Sequence, residues 1–276
     1  MNPPLFARII GIGALTLGLG GCSPSYREDQ LLGAIERICA TEHGYQVSAR
    51  KVGQTIAVHL HHAGILRQEQ NQIGLAEQAN EILGDVIEAV HRVTLSSDAV
   101  VNFYLVLVSD PNVPGAYLTV VRYVDDVRRA HASVIPPTEL FSRTILDLKF
   151  VGVPTLQLDQ ITLNDIQLEQ FLSWQLSKRI QAKLSETLQR RGMPMAEVGP
   201  CTGEFRDGEF VFTLNATPRG RPFTNEQVQM LFQDATSVIA QVLSGYRFDN
   251  FTTVRLIHPP TGRNLLLPKT RLELFR

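Results

Sequence analysis

Apolar and polar positions alternate along the chain with two different periods. Leu31, Leu32, Ile35, Ile38 and Cys39 follow helical spacing, and Gly44 is a natural stop. Residues 45–51 and 55–62 read as two strands around a hairpin turn at Gly53 and Gln54. Leu75, Ala76, Ala79, Ile82, Leu83, Val86, Ile87, Val90 and Val93 then recur at three- and four-residue steps, which predicts a long helix with one apolar stripe. Residues 101–108 are almost wholly apolar, as expected of a strand covered on both faces. After a turn carrying Pro111, Pro114 and Gly115, residues 116–124 read as a further strand.

The same order recurs downstream. Asn164, with Gln167 at the capping-box position, opens a helix along Leu172, Leu176, Ile180, Leu184 and Leu188. Residues 201–205 and 209–215 pair about an Asp207-Gly208 turn. Thr224, with Gln227, opens another helix, and residues 251–257 and 265–274 are the last strands. An offset of 149 positions carries Ala79, Ile82, Leu83 and Val86 onto Val228, Leu231, Phe232 and Ala235, and Leu105 and Leu107 onto Val254 and Leu256. The expected fold is α+β: two tandem degenerate α-β-β-α-β-β modules, each with two helices on one face of a mostly antiparallel sheet. The first module spans 30–131 and the second 164–276, and 132–163 connects them. That connecting segment carries a helix over 138–149 and proline breaks at 136–137 and 154.

Composition removes several classes without choosing a function. With 44% hydrophobic and 19% charged residues the chain is globular, and a net charge of −1 offers no basic footprint for nucleic acid. The polar start through Arg8 gives way to an uncharged apolar run of about 13 residues, 9–21, of the length of a signal-peptide core and too short to span a bilayer. It ends in Leu19-Gly20-Gly21-Cys22.

That ending resembles the lipobox of bacterial lipoprotein precursors. The resemblance implies that residues 1–21 are a signal peptide cut before Cys22. It implies that the Cys22 thiol carries diacylglycerol, with the new amine acylated in turn by a palmitate-like chain. Two or more acyl chains make a lasting anchor. Residues 22–29 would then be a tether, and Ser23 at the second mature position permits export, in a diderm host, to the outer membrane facing the periplasm. In topology each module is also similar to the small α+β ring-building modules of some envelope assemblies, an analogy of fold alone.

Candidate chemistry is sparse. His59 and His61 lie two apart on a strand, so both project from one face, a geometry that can offer two imidazoles to a metal ion. Ile56, Val58 and Leu60 take the opposite, core face, which makes the histidines a solvent-facing row in the simpler reading. An oxidising compartment permits Cys39 and Cys201 to form a disulfide, and their separation along the chain does not decide it. Trp174, the single tryptophan, falls in an apolar helical cluster and reads as packing. No nucleophile elbow, phosphate-binding glycine loop or metalloprotease motif occurs, and no catalytic residue or cofactor is expected. The expectation is a lipid-anchored envelope protein that binds or assembles with another envelope protein or itself, through strand edges at 116–124 and 265–274. A metal-binding protein or metal-assisted hydrolase using His59 and His61, and a small-ligand sensor with a pocket between the modules, are the alternatives.

Overall fold

The computed structural model describes residues 26–70, 72–150, 163–191 and 196–272. The proposed signal peptide and Cys22 lie outside the described residues. Among the described residues seven α-helices and several mostly antiparallel sheets make an α+β protein.

The first half runs α1 (Leu31–Glu42), β1 (Val47–Val52), β2 (Thr55–His61), the small hairpin β3 (Leu66–Glu69) and β4 (Gln72–Leu75), α2 (Ala79–Leu95), β5 (Phe103–Ser109), β6 (Ala116–Tyr123), α3 (Val124–His131), α4 (Pro137–Arg143) and β7 (Ile145–Phe150). Its sheet has the order β1-β2-β5-β6-β7. Neighbours are antiparallel except β2 and β5, which α2 joins by a crossover and which are therefore parallel. The apolar stripes of α1 and α2 close over Ile56, Val58, Leu60, Tyr104, Val106 and Val108.

The second half runs α5 (Leu168–Arg190), β8 (Ala196–Val198), β9 (Thr202–Arg206), β10 (Glu209–Thr213), β11 (Ala216–Pro218), α6 (Asn225–Tyr246), β12 (Thr253–His258), β13 (Arg263–Pro268) and α7 (Lys269–Leu272). Its sheet is ordered β13-β12-β10-β9, with only β10 and β12 parallel. The pairing sequence antiparallel, parallel, antiparallel thus occurs in both β1-β2-β5-β6 and β9-β10-β12-β13. The α6 start is set by the reciprocal Thr224 and Gln227 capping box, and the β9–β10 turn by Asp207 and Gly208, both at positive φ.

Several sequence expectations are corrected. The second helix begins at Ala79, because Leu75 ends the β3–β4 hairpin. The segment expected as one helix over 138–149 is a helix only to Arg143 and then strand β7, whose Asp147 and Lys149 alternate with Leu146, Leu148 and Phe150. Since β7 pairs with β6, residues 116–124 are internal to the sheet and not an edge. The run 265–274 is a strand only to Pro268, and α5 starts at Leu168 without an Asn164 cap.

The 149-residue offset holds for the buried face of α2 on α6 but not for the strands. Tyr104 and Val106 face the first helical core as Val254 and Leu256 face the second, an offset of 150, whereas Leu105 packs on the opposite face. A one-residue shift on a strand exchanges its faces.

Candidate functional site

Strand β2 places His59 and His61 on the sheet face away from α1 and α2, and β5 sets Ser109 opposite His61. Ser109 Oγ lies 2.8 Å from His59 Nε2 and 2.8 Å from His61 Nδ1. One hydroxyl has one proton to give, so Ser109 donates to one ring and accepts from the other, fixing complementary tautomers. Burial, and then the neighbouring His61, lower the His59 pKa. The row is therefore a hydroxyl-bridged pair, half-buried at His59, and not simply a solvated face. The two ring nitrogens that converge are already taken by Ser109.

Among the described residues no acid hydrogen-bonds to either ring to orient the pair for nucleophilic work. The adjacent Asp110 is buried, and its carboxylate accepts from the backbone N–H groups of Ile65 and Leu66 at 2.8 Å and of Asn112 at 2.8 Å, tying down the β3 approach. His43 pairs with Asp85 at 3.5 Å, and His62 turns its ring edge-on to Tyr45. Among the described residues no group of three His, Cys, Asp or Glu side chains is arranged to hold a metal ion. Cys39 and Cys201 are not joined: both are free, and they sit in the two separate helix–sheet cores. Burial pushes the Cys39 thiol up to about 11 and raises Cys201 as well, so neither is a ready thiolate.

A second constellation joins the halves. Phe103, Val121 and Ile145, on the back of the first sheet, pack with Ile166 and Phe171 and with parts of Trp174 and Tyr246. Beside them, the buried Arg143 donates through Nη1 to Asp126 Oδ1 at 2.8 Å and through Nε to Glu139 at 2.8 Å. The Tyr246 hydroxyl donates to Asp126 Oδ2 at 2.6 Å, and the Arg143 guanidinium lies 4.5 Å from the Tyr246 ring centroid. Burial pushes the Asp126 carboxyl up despite these donors. Gln175 Nε2 donates to the Arg143 carbonyl at 2.7 Å. Asp165 completes the seam, accepting at Oδ1 from the Gln54 N–H and the Thr55 hydroxyl, both at 2.9 Å.

A groove of about 440 Å³ opens between the first turns of α5 and strand β9. Trp174 and Phe205 supply aromatic surface, Glu169, Gln170 and Glu204 supply polar groups, and Gly203 lies in its wall. Trp174 thus serves packing on one side and a groove on the other, which its place in an apolar helical pattern does not reveal. Gly203 is needed for close approach, because a Cβ there would stand 2.5 Å from Phe212 Cε1 and from Ser177 Oγ.

No protein-family model, curated protein or solved structure matches the chain. Among the described residues no helix is long and apolar enough to cross a membrane.

Proposed function

We propose that this chain is a lipid-anchored protein of the bacterial cell envelope with a non-catalytic binding or assembly role, built from two degenerate α-β-β-α-β-β modules in tandem. The observation that carries the anchoring is the uncharged apolar run ending in Leu19-Gly20-Gly21-Cys22. The shared pairing order of the two sheets and the common buried face of α2 and α6 support the tandem reading.

Geometry gives the anchor a direction. The Tyr26 N–H donates to the Ser96 carbonyl at 3.2 Å, and the Tyr26 carbonyl accepts from the Asp98 N–H at 3.3 Å. Only four peptide units separate Cys22 from Tyr26, a reach of at most about 14 Å. A lipid on Cys22 would hold the end of the first sheet bearing the 96–102 loop against the bilayer. Confinement to a surface raises the effective concentration for a partner in the same membrane.

Strand β7 supports the binding role. It is a sheet edge whose Leu146, Leu148 and Phe150 are 39%, 37% and 68% exposed, and no other described strand pairs with its far side. An edge offers unpaired backbone groups together with alternate side chains. A photo-crosslinking residue placed at Phe150, in the full chain in its native envelope, is expected to yield one discrete adduct of defined mass. The same residue at the exposed Arg219 is expected to yield none. Monomer alone from both positions would contradict the assembly reading.

A further inference from the structure

We infer that the groove between α5 and β9 receives a basic side chain of an extended peptide segment laid along the β9 edge. The inference deepens the binding role proposed above but does not depend on the lipid. Three consecutive residues of one strand, Gly203, Glu204 and Phe205, border the groove. Side chains on a strand alternate between faces, so a cavity touching three in a row lies against the strand's edge and not against one face. That edge is open: β9 pairs with β10 and with no other described strand. An added strand is the occupant whose backbone can satisfy such an edge.

Charge selects the side chain. Among the described residues Glu169 and Glu204 line the groove, and no Lys or Arg does. Arg206 reaches Glu204 only at 3.5 Å, with 73% of its side chain exposed. Among the described residues the Glu169 carboxylate, the Gln170 amide and the Trp174 indole N–H make no hydrogen bond. An ammonium or guanidinium group over the Trp174 face, flanked by carboxylates, gains both cation–π and ionic attraction. A neutral sugar would leave the Glu169 carboxylate without a cation and Glu204 with the exposed Arg206 alone, and an acidic ligand would be repelled. The volume lies within the range of about 300–1,000 Å³ typical of small-ligand sites, ample for one long side chain.

Trp174 is the only tryptophan, so its emission reports this groove directly. The full chain in detergent is titrated with an acetylated, amidated hexapeptide alternating Val and Lys, with the matched Val and Glu peptide, and with chitotriose. The expected result is a saturable change in Trp174 emission with the Lys peptide and at least tenfold weaker binding of the other two. A Glu169→Gln/Glu204→Gln protein with unchanged circular dichroism is expected to bind the Lys peptide about tenfold more weakly. The inference is overturned by no response to the Lys peptide, by equal response to the Glu peptide or chitotriose, or by undiminished binding to the double variant. Because the readout ignores Cys22 and β7, its failure leaves the anchoring and assembly reading standing, and the reverse also holds.

Discussion

The first sheet is covered by α1 and α2 on one face and, over part of the other, by the start of α5 and the end of α6. Among the described residues the second sheet has helices on one face only. Strand composition follows this difference. In β5 six of seven residues are buried, whereas β12, its counterpart in the pairing order, alternates half-exposed Thr253, Arg255 and Ile257 with buried Val254, Leu256 and His258. On the open face of the second sheet Arg255 pairs with Glu209. Two sheets of like topology therefore differ in dependence: the helices of the second half complete the first, and among the described residues nothing reciprocal covers the second.

The largest test of this asymmetry is Arg143→Met. It leaves the Asp126 carboxylate buried against Tyr246 without its cation, and removal of one partner of a buried pair costs about 3–5 kcal/mol. Chemical denaturation of the variant should show that loss. A loss below about 1 kcal/mol would mean that the seam contributes little to stability.

Asp165→Ala should act more locally. Losing the acceptor for Gln54 and Thr55 costs about 1–3 kcal/mol and should speed hydrogen exchange in the β1–β2 hairpin while leaving the β9–β10 hairpin unchanged. Equal acceleration in both hairpins would break the comparison.

Acid should weaken the first half gradually. His91 Nε2 accepts from the Tyr104 hydroxyl at 2.5 Å, and burial, with Arg122 and His131 adding repulsion, lowers its pKa to about 3. The unfolded chain therefore binds the proton first as pH falls below about 6.5. Stability contributed by neutral His91 is complete above that pH and declines down to about 3, by at most ~1.4 kcal/mol per pH unit. The slope of unfolding free energy against pH should fall in a His91→Gln protein. An unchanged slope would remove His91 from the account.

Helices were more legible than strands for a physical reason. The stripe of α2 matches that of α6 at one offset because many of its positions share a broad face, whereas β5 and β12 need a register correct to one residue. The uninterrupted apolar run of β5 correctly implied two covered faces, but no local pattern names α5 and α6 as the cover. Strand β7 carries a visible two-residue alternation, but with only the seven residues of Pro137–Arg143 ahead of it to set a period, the helical pattern of 138–149 runs over it. The Asp126–Tyr246 contact spans 120 positions and the His59–Ser109 contact 50, distances at which spacing carries no signal.

The reading of this molecule as a tethered binding protein rests first on the N-terminal cysteine. Intact mass analysis of the protein extracted from host membranes should find a chain beginning at Cys22 and carrying diacylglycerol plus an amide-linked acyl chain, and a Cys22→Ser protein that stays unmodified and leaves the membrane fraction. An unlipidated wild-type chain retaining residues 1–21, or cut at another position, would contradict it.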